Sequence, residues 1–218
     1  MMRTRTLVSR NIKGIIYRIG LRNREFTIIS NNCWGGVVYD RYRLPYKTPT
    51  IGLWIPAKDY VRFVANLEYY LSLEVKQISW KECHVSEILK SRKESGRYQF
   101  ELDDMIIGRL GDIDIIFFHY ASFDEAKSKW DRRKARINYN NIIIKLNDQN
   151  DFSNDVFEEF AKLPYKNKLF ITARKEYIGY SDVIYINYPD DEGNILDDTK
   201  LKLLPISVTK YLNQHTGV

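Results

Sequence analysis

Cys33 lies in the run Asn31-Asn32-Cys33-Trp34-Gly35-Gly36, which places a thiol, two side-chain amides and bare backbone side by side. A thiol at the start of a helix is stabilised as thiolate by unpaired backbone N–H groups and by the helix dipole. A histidine within reach would make it a nucleophile. His119 is the natural partner: it ends the apolar run Ile115 to Phe118 just before a helix. In a parallel arrangement that puts it on the same sheet edge as Cys33. The backbone N–H groups of the loop would then serve as oxyanion donors. The opposing reading is a small loop cysteine that is packed and inert.

The same loop supports a second chemistry. Backbone N–H groups of Cys33, Trp34, Gly35 and Gly36 can cradle a phosphate, with Asn31 and Asn32 fixing a sugar. The pattern matches neither GxGxxG nor GxxxxGK[ST], so no standard nucleotide fold is implied. Alternatively, Gly35 and Gly36 simply let a helix approach a strand. A basic cluster follows later, with Lys127, Lys129, Arg132, Arg133, Lys134 and Arg136. Arg132 and Arg136 share one helical face, and Lys129 and Arg133 another. Such guanidinium groups suit phosphate or carboxylate recognition, and a solvated charged face is the competing explanation. No aromatic platform or binding motif accompanies them, so nucleic acid is not expected as a partner. Trp130 reads as a core anchor, and Asn138 turns the chain into the next strand.

Cys83 and His84 do not make a metal site by themselves, since neighbours on a helix point about 100° apart. The acidic group Asp190, Asp191, Glu192, Asp197 and Asp198 lacks EF-hand spacing and reads as a solvated loop. No metal is expected, and no motif names a cofactor.

The elements that must position these groups follow from periodicity. Phe26 to Ile29 is a buried strand running into the Asn31 to Gly36 turn and a helix. Residues 5–22 form a basic amphipathic helix, either packed on the sheet with a solvated basic face or touching a membrane surface or acidic partner. Prolines at 45 and 49 make an extended loop, and Thr50 to Ile55 is a second strand. Asp59 to Leu71 carries a helical stripe, Val75 to Ile78 is a short strand, Glu82 to Lys90 a short helix, and Lys90 to Arg97 a charged loop. Ile106 to Phe118 reads as an antiparallel hairpin turning at Gly111-Asp112. Ser122 and Glu125 are a capping pattern for a helix over Phe123 to Ile137. Asn141 to Leu146, Lys168 to Thr172 and Val183 to Ile186 are strands, Asp155 to Leu163 is a helix, and Leu201 to Leu212 is irregular or helical. Strand and helix alternation predicts an α/β three-layer sandwich with a mixed, mostly parallel sheet and a central hairpin. Residues 1–22 would be an appended helix and 23–218 a single domain, with a possible subdivision near 95–120.

With 218 residues, 44% hydrophobic and 28% charged, the chain can bury a sizeable core. Its net charge of +6 permits an acidic partner without requiring one. Two cysteines make no disulfide framework and suit a reducing cytoplasm. No apolar run approaches the roughly 20 residues that span a bilayer, so any membrane contact would be peripheral, through residues 5–22.

FTIISNNCWGG, YKTPTIGLWI with DYVRFVANLEYYL, and FHYASFDEAKSKWDRRKARINYNNIIIKLND together resemble a bacterial family, domain of unknown function 1919, whose members are often labelled exopolysaccharide biosynthesis proteins. The resemblance covers residues 24–190, leaving out the Arg-rich start and the tail. It implies work on surface polysaccharide, such as transfer of a sugar, phosphate or acyl group, and carries over no catalytic residue. On chemical grounds Cys33 and His119 are the catalytic candidates, and Asn31, Asn32, Trp34, Gly35, Gly36, Arg133 and Asn138 the substrate-binding ones. The expectation is a cytosolic transferase or hydrolase acting on a sugar or phosphorylated sugar. The alternative is a non-catalytic sugar- or phosphate-binding module in a biosynthetic complex.

Overall fold

The computed structural model describes residues 12–96 and 100–216. In chain order the strands are β1 (Thr27–Ser30), β2 (Leu53–Trp54), β3 (Lys76–Ile78), β4 (Ile106–Leu110), β5 (Ile113–Phe117), β6 (Ile142–Asn147), β7 (Lys168–Thr172) and β8 (Val183–Tyr185). The helices are α1 (residues 12–19), α2 (Trp34–Arg41), α3 (Ala57–Ala65), α4 (Leu67–Ser72), α5 (Ser86–Glu94), α6 (Phe123–Lys134), α7 (Asn154–Lys162) and α8 (Val208–His215). Among the described residues no helix is long and apolar enough to cross a membrane.

The class is α/β, as the alternation implies, and the strands divide into two sheets where one mixed sheet was expected. β1, β6, β7 and β8 pair in that order, all parallel. β2, β5, β4 and β3 form a second, antiparallel sheet. The hairpin β4–β5 turns at Gly111, whose φ of +66° suits a residue without Cβ. It becomes the middle of the second sheet because β2 pairs with β5 (Leu53 opposite Phe117) and not with β1. β1 is therefore an edge strand, and side chains meet its outer backbone. The Tyr39 hydroxyl donates to Phe26 O and accepts from Ile28 N, while Thr50 Oγ1 accepts from Ser30 N. Such cover blunts an edge that would otherwise template another strand.

Side chains alternate across the parallel sheet. Ile29, Ile142, Ile144 and Leu146 face a core shared with α3, α6, α7 and the second sheet. Ile28 and Ile143 face the other way, toward Trp34, Val38, Tyr39 and the α8 residues Tyr211 and Leu212. Trp130 anchors the first core as expected, fully buried with its ring 6.1 Å from Phe63 and 6.4 Å from Phe117. A smaller cluster of Trp54, Cys83, Leu89, Ile107 and Ile116 covers the far face of the second sheet.

Several elements differ from expectation. The stripe from Asp59 to Leu71 is two helices, because Asn66 adopts φ −131° and ψ 46° and interrupts the ladder. The charged stretch after Lys90 continues helix α5 to Glu94, with Leu89 buried as its anchor; Arg97 lies outside the described residues. At α6, Ser122 Oγ accepts from Glu125 N, and the Glu125 carboxylate reaches back to Ala121 N. α1 does not pack its isoleucines on the sheet; they point outward. The part of that expected helix before residue 12 lies outside the described residues.

Gly108 in β4 permits the closest approach in the second sheet. A Cβ there would overlap the Val75 side chain and come within 2.9 Å of Phe117 Cε2. Gly108→Ala should therefore destabilise the protein by about 1–3 kcal/mol through overpacking. Urea unfolding would show this as a lower midpoint with an unchanged slope.

Candidate functional site

β1 and β6 end side by side, and the polar residues at those ends turn toward one another. Asn31 donates to Asn147 Oδ1 (2.8 Å) and accepts from Asn147 N (3.2 Å). Asn32 Nδ2 donates to Asp198 Oδ1 (2.8 Å), and its Oδ1 accepts from Lys145 Nζ (3.0 Å) and Trp34 N (3.1 Å). Lys145 forms an ion pair with Asp198, and both are essentially without solvent contact. Strand alternation explains the geometry, since Lys145 lies on the Ile143 face, under α2. Burial pulls the Lys145 pKa down, while the Asp198 carboxylate opposes that pull. Next along the chain, Asp148 accepts from Thr172 Oγ1, Ala173 N and Ile195 N.

This network corrects two sequence expectations. Asp198 belongs to a buried ion pair and not to a solvated acidic loop. The amides of Asn31 and Asn32, expected to fix a sugar, are buried and engaged with protein groups. Trp34 is also buried in the core. Gly35 fits the close-packing reading: a Cβ would come within 2.9 Å of Ser30 Oγ and 3.2 Å of Ile28 Cγ2. Two of the N–H groups expected to cradle phosphate already have acceptors, Trp34 N on Asn32 and Gly35 N on Ser30 Oγ.

Beside this network opens a pocket of about 430 Å³, and it contains the remaining candidates save one. Cys33, Gly36, Tyr46, His119, Tyr120, Lys129 and Arg133 all line it. His119 does not arrive on a parallel strand as expected, because β5 is antiparallel and in the other sheet. It arrives through Gly52, whose carbonyl accepts from both Phe118 N (3.0 Å) and His119 N (3.1 Å). Gly52 has φ +71°, and its neighbour Leu53 offers a carbonyl 3.8 Å from Cys33 Sγ. Asn138 is the exception. It binds Glu25 O and Thr27 Oγ1, at the amino-terminal edge of the parallel sheet, away from the Asn31 end.

Arg133 is the unusual group. It is only 7% exposed, yet no carboxylate among the described residues lies within ion-pair distance. Its NH1 donates to the Tyr120 hydroxyl (2.8 Å), and its guanidinium carbon lies 5.0 Å from the centre of the Tyr46 ring. A charge this buried normally has a counter-charge. Lys129, paired with Glu125, approaches the Tyr120 ring from the same helix. The rest of the basic cluster is a solvated face, with Lys127 and Lys134 paired to Asp131 and Arg132 exposed.

Cys33 is half-buried, and burial, followed by the negative charge of Asp198, pushes its thiol up to about 11. Lys145 opposes this without reversing it. At neutral pH the group is therefore a thiol, contrary to the helix-terminus expectation. Sequence pattern offered one overlooked signal, the single lysine inside the apolar run Ile142 to Leu146. Tyr46, Tyr120 and Asp198 carried none.

Among the described residues one set has metal-ligand geometry. Asp59, His84 and Asp114 place one ligand atom each within 4.8 Å of the others. His84 Nδ1 is 3.2 Å from Asp59 Oδ2 and 3.4 Å from Asp114 Oδ2. Arg62 already pairs with Asp59 and Arg109 with Asp114, so the carboxylates are balanced without a cation.

Two outcomes test this description. Asp198→Ala alone leaves Lys145 buried without its partner and should cost about 3–5 kcal/mol, whereas Lys145→Met with Asp198→Leu should recover most of that loss. A denaturant series across the parent and these two variants compares the losses. Iodoacetamide should label native Cys33 slowly at neutral pH and faster as pH rises toward about 11. Rapid labelling at pH 7 would contradict the charge arrangement around the thiol.

Comparison with known proteins adds a lineage. A family described as a domain of unknown function, DUF1919, matches residues 4–216, so the match includes the amino-terminal helix and the tail that the resemblance left outside. An uncharacterized protein of Haemophilus influenzae is 25% identical over 177 residues, covering 81% of this chain and 75% of that protein.

Proposed function

The chain belongs to the DUF1919 family, and from the charges in its pocket we propose that it binds the anionic group of a sugar or phosphorylated sugar there. On this reading it acts on that substrate as a transferase or hydrolase in exopolysaccharide or cell-envelope polysaccharide assembly. The observation that carries the reading is Arg133, a buried guanidinium on the pocket wall with ring and hydroxyl partners and, among the described residues, no carboxylate within ion-pair distance. A phosphate or carboxylate would supply the missing counter-charge through charge-assisted hydrogen bonds. Lys129, though paired with Glu125, lies beside Arg133, and Tyr46 and Tyr120 offer rings to a sugar face.

His119 is the side chain in the pocket whose imidazole can take up and return a proton during a reaction. In the enzyme reading the Cys33 thiol gives its proton to His119 as its sulfur bonds to the phosphorus of the sugar phosphate. The bond from phosphorus to the sugar oxygen breaks, that oxygen takes the proton from His119, and water then cleaves the sulfur–phosphorus bond to release phosphate. The raised thiol pKa favours the second reading, a non-catalytic module that holds a sugar phosphate for a partner enzyme. Both readings place the ligand at Arg133.

Calorimetric titration with inorganic phosphate and with glucose 1-phosphate tests them. Arg133→Met should weaken binding by about 10- to 100-fold, the loss of one hydrogen bond to a charged group, with Arg133→Lys intermediate. No binding by the parent protein, or equal binding by Arg133→Met, would sink the proposal. Phosphate release that disappears in both His119→Ala and Cys33→Ala would favour the enzyme over the module.

A further inference from the structure

α1 turns its small and aromatic side toward the protein and its isoleucines away. A Cβ on Gly14 would meet Arg43 Cγ at 2.6 Å and Arg41 O at 3.2 Å, so the helix seats directly on the end of α2. Tyr17 packs edge-on against Tyr42, Arg41 lies over the Tyr17 ring at 4.3 Å, and Arg18 reaches Arg43 O. Leu21, just past the helix, is buried. These contacts use one side of α1. Ile12, Ile15, Ile16 and Ile19 stay 54%, 48%, 60% and 71% exposed. Their spacing of i, i+3, i+4 and i+7 makes them one continuous stripe.

Scattered exposed isoleucines need no explanation, but an aligned stripe on a docked helix marks a contact surface. Charge identifies its chemistry. The first 24 residues hold Arg3, Arg5, Arg10, Lys13, Arg18, Arg22 and Arg24 and no acidic residue. A second copy of the chain would bring two such basic segments together, and like charges oppose that pairing. A bilayer with anionic headgroups satisfies both features, accepting the isoleucines at its acyl boundary and the cations at its surface. We propose that α1 lies flat on a membrane surface rich in anionic lipid, with Ile12, Ile15, Ile16 and Ile19 inserted and Lys13 and Arg22 among the headgroups.

Flotation of the full chain with phosphatidylcholine vesicles, with and without phosphatidylglycerol, tests this. The parent protein should float with the anionic vesicles, and high salt should release much of it. Ile15→Glu with Ile16→Glu should lower partitioning by about tenfold or more, because affinity scales with inserted apolar area. Lys13→Glu with Arg22→Glu should lower it too and flatten its salt dependence. Circular dichroism and thermal unfolding should match the parent in both, since these side chains face solvent. No binding to anionic vesicles, or equal binding by the Ile15/Ile16 variant, would overturn the proposal. So would a solution dimer of the parent chain that the same variant dissolves, because it would assign the stripe to a second copy.

Discussion

The buried ion pair between Lys145 and Asp198 sets the geometry of everything around the Cys33 loop. An ammonium inside a sheet is strongly disfavoured unless a counter-charge and hydrogen-bond acceptors surround it. Lys145 finds the first in Asp198 and the second in Asn32. That requirement draws three distant pieces of chain together: the end of β6, the turn after β1, and the loop that carries Asp198. Asn31 and Asn147 complete the arrangement by bonding each other. The start of α2, and with it the position of Cys33, is fixed from below by this network.

The same charges shape the pocket above. Burial, with the charge of Asp198 behind it, keeps the thiol protonated, so the Cys33 side contributes a neutral group. The α6 side contributes Arg133, whose aromatic neighbour Tyr46 attracts a cation without cancelling its charge, and Lys129, whose charge Glu125 already balances. Asp40 also lines the pocket, but it pairs with Arg43, so the bias toward anions rests on Arg133.

Local pattern was enough to locate most elements, and non-local pairing was hidden. The Ile142 to Leu146 run, the Ser122 cap, the Gly111 turn and the burial of Trp130 were all legible, because each depends on neighbours within a few residues. Which strand β2 joins was not, since that is decided by a partner more than fifty residues away, near Phe117. Cys33, Gly36, His119 and Arg133 were picked out by residue type and do line one pocket, although the expected parallel strand does not bring His119 there. Asn31 and Asn32 stand out in the sequence as amides at a strand end, but their partners Lys145 and Asp198 are far off in sequence. For α1, periodicity announced an apolar stripe and was silent on which way it faces.

The two-sheet division has a mechanical consequence. Cys33 and Gly36 are attached to the parallel sheet, whereas His119 follows β5 of the antiparallel one, and Arg133 rides on the helix after it. The gap between the walls is set by the side chains wedged between the layers, among them Phe63, Phe117 and Trp130. Trimming or enlarging one of those rings would shift one wall relative to the other and resize the opening. Its dimensions are thus adjustable by residues that do not line it.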